Sequence, residues 1–353
     1  MARFTHDGCD FNYEIRGSAG PRALLFNGSG ASIETSAPLI NALAKTMQVL
    51  VHDQRGLGES SVPDGPYTMA GYAADGAALL RHVGWDRCIV VGISFGGMVA
   101  QEFAVTHPGT VEKLVLLCTS AGGAAGSSYP LHELASLPPA ERLEAQMRIT
   151  DSRFGPEWFA EHPVDAEIMR GMRERAAVEK PAERLRGERL QLEARTGHDV
   201  SGRLGLVTAP AYVLAGRFDG IAPPVNSRAI ASLVPDAVVS VYEGGHMFSG
   251  QDRNAILDIR AFVGDGTPDR QPERRPTGEV AERDPGRRTD RFRTVDLHPA
   301  RQAQLVLAGG VRNDGTPDRQ LVSWVVRGAT GTEVTVTASH QRAGTVTTTL
   351  RLA

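Results

Sequence analysis

Ser94, Asp219 and His246 each follow an apolar run of strand character in this chain of 353 residues, and together they could run a proton relay. Ser94 lies in Gly92-Ile93-Ser94-Phe95-Gly96-Gly97, directly after Cys88-Ile89-Val90-Val91. A strand that reverses at once into a helix holds its turn residue in a strained backbone conformation and pushes its side chain clear of the sheet. Any side chain at Gly92 or Gly96 would collide with the neighbouring strand and helix. A hydroxyl exposed in this way can be a nucleophile, provided a base takes its proton and a further group orients that base. Such an elbow takes an acid and then a histidine from loops after later strands. Gly216-Arg217-Phe218-Asp219 follows the run 211–215, and Glu243-Gly244-Gly245-His246 follows 238–242. Thr119-Ser120-Ala121-Gly122, after an expected strand at 113–118, offers no carboxylate, so Asp219 has no rival there. His52, His82 and His107 precede or flank helices and read as structural.

Each of these residues has an ordinary reading as well. Glycine supplies 39 of the 353 residues, so Gly-x-Ser-x-Gly arises readily by chance. Asp before Gly commonly forms a turn, and Gly-Gly-His suits a surface loop. The order of the three, at successive strand ends, favours the chemical reading. That chemistry also needs donors for a developing oxyanion. The backbone N–H of Phe95, next to the nucleophile, is one candidate. The N–H of Ser29 is the other, in the glycine-rich loop Asn27-Gly28-Ser29-Gly30 after the run 23–26. Asn27 and Gly28 in that loop, Met247 beside His246, and Trp158 are the expected substrate contacts.

The elements that must hold these residues alternate along the first three quarters of the chain. Strands are expected at 10–16, 23–26, 49–52, 88–93, 113–118, 211–215 and 238–242. Helices are expected near 33–45, 69–83, 95–107, 224–234 and 254–262. Short continuous apolar runs suit a parallel sheet covered on both faces. The first two strands are expected to pair as an antiparallel hairpin with Asp7-Gly8 at its turn. Residues 122–205 break the alternation with charged, helix-rich sequence too long for a loop. Helices at 139–149, 157–161, 164–178 and 182–195 would form a cap over the sheet, with Tyr129, Leu131, Trp158, Phe159, Met169 and Met172 covering a pocket or packing among themselves.

Composition bounds the rest. A net charge of −3 disfavours nucleic acid or an anionic membrane as partner. No apolar run approaches the roughly 20 residues that span a bilayer, and the N-terminus lacks the apolar stretch of a secretory signal, so a cytoplasmic protein is expected. Cys9, Cys88 and Cys118 lack metal or disulfide spacing. After residue 264 the character changes. Residues 265–291 hold four prolines, seven acidic residues and seven arginines, which reads as a linker. Residues 292–353 alternate Val and Thr with polar residues, and strands at 292–297, 303–307, 321–326, 333–338 and 345–350 would make a small β-sandwich-like domain. Asp-Gly-Thr-Pro-Asp-Arg-Gln occurs at both 265–271 and 314–320.

Five motifs in order, Asn27-Gly28-Ser29-Gly30, Asp53-Gln54-Arg55-Gly56-Leu57-Gly58-Glu59-Ser60, Gly92 to Gly97, Gly216 to Asp219 and Gly244-Gly245-His246, resemble the α/β-hydrolase superfamily over residues 1–264. The resemblance implies an α/β fold, a mostly parallel eight-stranded sheet with helices on both faces, and a helical cap at 122–205. It implies Ser94 as nucleophile, His246 as base and then acid, and Asp219 as the carboxylate that orients it. Asp53 and Arg55 fall in a structural turn. The pattern is most similar to 3-oxoadipate enol-lactonases, small esterases and cofactor-free haloperoxidases, and a serine nucleophile disfavours epoxide hydrolases and dehalogenases. The expected activity is hydrolysis of a small-molecule carboxylic ester or lactone, with no cofactor and no metal. C–C bond hydrolysis, thioester hydrolysis, acyl transfer and perhydrolysis could use the same triad, and a ligand-binding receptor could retain the fold.

Overall fold

The computed structural model describes residues 2–264 together with four strand segments, 304–311, 317–325, 333–340 and 344–351. Strands β1 (Ala2–His6), β2 (Cys9–Arg16), β3 (Arg22–Phe26), β4 (Gln48–His52), β5 (Cys88–Ile93), β6 (Val111–Leu117), β7 (Ala211–Gly216) and β8 (Ala237–Tyr242) form one sheet. Their order is β1-β2-β4-β3-β5-β6-β7-β8. The pairs from β4 through β3 to β8 are parallel, and β1–β2 and β2–β4 are antiparallel.

The hairpin at the start differs from expectation. Asp7 and Gly8 do turn with positive φ, 46° and 68°, but they join β2 to β1, a strand the sequence does not signal. Only Phe4 of β1 is buried, so its period-two pattern rests on a single apolar side chain. The strand after β2 is not its hairpin partner; β2 pairs instead with β4.

Alternate residues of the central strands enter two separate cores. Leu24, Phe26, Val90 and Leu116 pack on one face, and Ala23, Leu25, Val91 and Leu117 on the other. Helices α1 (Ala37–Leu43), α2 (Met69–His82) and α3 (Phe95–Thr106) follow β3, β4 and β5 in turn. Tyr72 of α2 and Phe103 of α3 join the first core, and Ile40 of α1 joins the second. Burial on both faces is why these strands read as continuous apolar runs. Helix α1 starts later than expected because the Ile33 N–H donates to Asp53 Oδ1 at 2.7 Å and Ser32 and Thr35 bond each other locally.

Between β6 and β7 the cap carries α4 (Pro139–Thr150), α5 (Pro156–Glu161), α6 (Pro163–Ala177) and α7 (Ala182–Ala194). Helix α7 seats on the turn after β4, where a Cβ on Gly187 would lie 2.1 Å from Gly56 O. After β7 come α8 (Pro224–Leu233), α9 (Phe248–Gln251) and α10 (Asn254–Val263), with β8 between α8 and α9. No helix among the described residues is long and apolar enough to cross a membrane.

The chain divides into two compact units, Met1–Thr277 and Gly278–Ala353. In the second, β9 (Gln304–Val311) pairs antiparallel with β10 (Pro317–Val325), and β11 (Glu333–His340) with β12 (Gly344–Arg351). The expected linker at 265–291, the expected strand at 292–297 and the first copy of the seven-residue repeat lie outside the described residues.

Candidate active site

Strand order places the site. The chain leaves β3 for β4 on one side, while β5 lies on the other side of β3, so the strand order reverses at the carboxyl ends of β3 and β5, the place where open α/β sheets bind ligands. Ser94 stands there, between β5 and α3, with φ 52° and ψ −116°. That region is costly for a residue with a Cβ, and the surroundings enforce it. Ser94 N–H donates to Leu117 O at 2.9 Å, Ser94 O accepts from Gly97 N–H, and Thr119 Oγ1 donates to the same carbonyl at 2.7 Å. The flanking glycines are required by close approach. A Cβ on Gly96 would lie 2.1 Å from Phe26 O, and one on Gly92 would lie 2.4 Å from Gly96 O.

His246 Nε2 lies 2.9 Å from Ser94 Oγ, and His246 Nδ1 lies 2.8 Å from Asp219 Oδ2. The Asp219 side chain is fully buried, and that of His246 is 15% exposed. Asp219 Oδ1 accepts the N–H groups of Ile221 at 2.8 Å and Ala222 at 2.9 Å. Its other oxygen therefore faces His246, whose Nδ1 must carry the proton to donate to it. That tautomer leaves the Nε2 lone pair directed at the serine hydroxyl. Three residues up to 152 positions apart in sequence thus meet in one hydrogen-bonded line.

The loop expected to supply the second oxyanion donor runs beside the serine. A Cβ on Gly28 would lie 3.7 Å from Ser94 Cβ. Asn27 is fully buried with neither side-chain amide atom hydrogen-bonded, and Ser29 Oγ is likewise buried and unbonded. Gly30 N–H donates to Gln191 Oε1 of α7 at 2.8 Å, so the cap touches this loop. Phe95 N–H, in the first turn of α3, has no intrahelical acceptor. Met247 adjoins His246 immediately before α9. Trp158 is placed differently from the others. Its ring stacks on His162 at 3.6 Å and its Nε1–H donates to Asp165 at 2.8 Å, contacts internal to the cap.

Asp53 and Arg55 serve the scaffold. Asp53 accepts from Ile33 N–H, Asn12 Nδ2 and Glu59 N–H, which ties the Ser29 loop to the turn after β4. Arg55 pairs with buried Asp75. His52 stands in β4 itself, with both ring nitrogens buried and unbonded, and burial pushes its pKa down to about 4. Sequence reasoning missed the proximity of Cys118, buried with φ 43°, whose thiol comes within 4.8 Å of the Asp219 and His246 ligand atoms. Burial, and then the Asp219 charge, hold that thiol well above its usual range. These three form the one group with metal-ligating spacing among the described residues. Asp219 and His246 are already bonded to each other, and the second Asp219 oxygen to two amides, so these ligand atoms are already engaged.

A model described as the alpha/beta hydrolase fold matches residues 22–183. A second, described as a domain of unknown function, matches residues 235–351, a span that includes His246 and the C-terminal strands. A poly(3-hydroxyalkanoate) depolymerase of Ectopseudomonas oleovorans is 33% identical over 238 residues, covering 67% of this chain and 81% of that protein. A putative carbamate hydrolase RutD of Variovorax paradoxus is 30% identical over 264 residues, 71% of this chain and 96% of that protein. The enol-lactonase of Burkholderia xenovorans LB400 superposes with a TM-score of 0.59 over 75% of this chain and 97% of its own, at 23% identity, a likeness of fold.

Proposed function

The chain belongs to the α/β-hydrolase superfamily, and from that premise we propose that it hydrolyses a carboxylic ester or lactone through Ser94, His246 and Asp219. The observation that carries this reading is the unbroken line from Ser94 Oγ to His246 Nε2 and from His246 Nδ1 to Asp219 Oδ2, at 2.9 and 2.8 Å.

In the proposed reaction His246 Nε2 takes the Ser94 proton as Oγ attacks the substrate carbonyl. The oxyanion that forms is held by the N–H groups of Phe95 and Ser29. Asp219 stabilises the imidazolium and keeps its ring aligned. Collapse of the tetrahedral intermediate breaks the C–O bond to the alcohol, which leaves with the proton from Nε2. Water, deprotonated by the same nitrogen, then attacks the acyl-serine and releases the acid. We assign this activity to residues 1–264.

The putative carbamate hydrolase, matched over 96% of its length, supports a second reading in which the acyl carbon bears nitrogen. A panel of p-nitrophenyl esters, enol-lactones, thioesters and a p-nitrophenyl carbamate separates the two. The expected result is turnover highest on an ester or lactone. A carbamate turned over in preference would exchange the two readings, and turnover of none would overturn the first.

A further inference from the structure

Four backbone and side-chain contacts join the Asp219 and His246 loops to one short stretch of the cap, residues 149–152. Gly220 N–H donates to Ile149 O at 2.9 Å, His246 N–H to Thr150 O at 2.6 Å, and Ser152 N–H to Phe218 O at 3.0 Å. The fourth runs through Gln251 at the end of α9. Its Oε1 accepts Gly245 N–H at 2.9 Å, and its Nε2 donates to Asp151 at 3.2 Å and to Asp165 at 3.1 Å.

The two carboxylates are themselves fixed. Asp151, fully buried, takes a two-point contact from Arg153, through Nε at 2.9 Å and Nη2 at 2.6 Å. The Arg153 guanidinium lies 4.2 Å from the Trp158 ring centroid and 4.1 Å from that of Phe218, next to Asp219 in sequence. Asp165 takes the Trp158 indole N–H. Packing leaves no slack, since a Cβ on Gly245 would lie 2.1 Å from Thr150 O and 2.5 Å from Asp151 Cβ.

We infer that Gln251 is a positioning residue, the centre of a latch by which the cap sets the Asp219–His246 geometry. This rests on the hydrolase reading of the same site. The two loops leave adjacent strands and meet directly, Phe218 N–H donating to Gly244 O at 2.9 Å, and the 149–152 stretch adds a second point of attachment on the cap side for the loops that hold the 2.8 Å hydrogen bond. Gln251 suits the post because an amide presents an acceptor to the loop N–H and two donors to two carboxylates at once. Cap placement and triad alignment are therefore coupled: a displaced α4 would pull on both loops.

The test compares wild type, Ser94→Ala, Gln251→Leu, Gln251→Glu and the double variant Gln251→Glu/Asp151→Asn. The readouts are p-nitrophenyl butyrate kinetics and the far-downfield proton NMR signal of His246 Nδ1–H. The latch predicts the signal in wild type and Ser94→Ala, and its loss in Gln251→Leu. It predicts a kcat about ten- to a hundredfold lower in that variant with KM within about twofold, the pattern of misalignment and not of lost binding. Gln251→Glu, close in shape to the native residue, sets three carboxylates together and is expected to behave alike. It carries the test if the leucine variant does not fold. In the double variant the amide introduced at position 151 donates to the carboxylate introduced at position 251, and both readouts are expected to recover part of the loss. Gln251 variants with an intact signal and kcat within about twofold of wild type would overturn the latch. The signal does not depend on turnover, so a wild type that shows it and cleaves no substrate tells against the hydrolase reading, while the response to Gln251 still decides the latch.

Discussion

The Asp219→Asn variant is expected to lose about four orders of magnitude in kcat while keeping its fold. The loss follows from which amide atom goes where. Two backbone donors, Ile221 N–H and Ala222 N–H, converge on the Oδ1 position, so the amide oxygen must take that place. The amide nitrogen is left facing His246 Nδ1, and as a donor it requires Nδ1 to accept. The ring proton then moves to Nε2, where it points at Ser94 and blocks removal of the hydroxyl proton. Geometry survives, and the relay is reversed. Steady-state kinetics on the best substrate of the panel, with circular dichroism as a control, check this. A folded variant within about tenfold of wild type would show that Asp219 does not set the tautomer.

Arg55→Ala is expected to be the most destabilising single change outside the site, at about 3–5 kcal/mol. Arg55 meets Asp75 through Nε at 2.7 Å and Nη2 at 2.6 Å, and the Asp75 side chain has no exposed surface. Removing the cation strands a carboxylate that water cannot reach. Its alternative contact with Asp7 gives Arg55 only a partner that is 71% exposed, which contributes little. The sign of the pH dependence follows. Burial already raises the Asp75 pKa against the lowering effect of Arg55, and losing Arg55 raises it further. A carboxylate whose folded pKa exceeds its unfolded value carries its whole cost when ionised, above the folded pKa, and sheds it on protonation. The deficit of the variant against wild type is therefore expected to be larger at about pH 8 than at about pH 4. Urea unfolding at the two pH values measures it; an equal deficit at both would mean that Asp75 finds another partner.

Much of this was legible in the sequence, for identifiable reasons. The central strands announce themselves because both faces are buried, and Ser94, Asp219 and His246 because each closes such a strand with glycine beside it. The helices of the cap were legible as segments, with ends within one or two residues of those observed. Strand β1 was not, since one buried phenylalanine at a sheet edge leaves no pattern. Trp158 looked like a pocket residue because it is large and apolar, yet its indole N–H and ring face are used by Asp165, His162 and Arg153. Gln251 gave no signal at all. A polar residue near a helix end reads as solvated, and its partners Asp151 and Asp165 lie 100 and 86 residues away. Residues that hold others in place are specified by three-dimensional closure, which no local spacing encodes.

Labelling with a serine-reactive fluorophosphonate tests the central claim most directly. The account predicts that the wild-type chain takes up one label, that peptide mapping places it on Ser94, and that Ser94→Ala takes up none. A wild type that stays unlabelled, or a label that persists in Ser94→Ala, would contradict it.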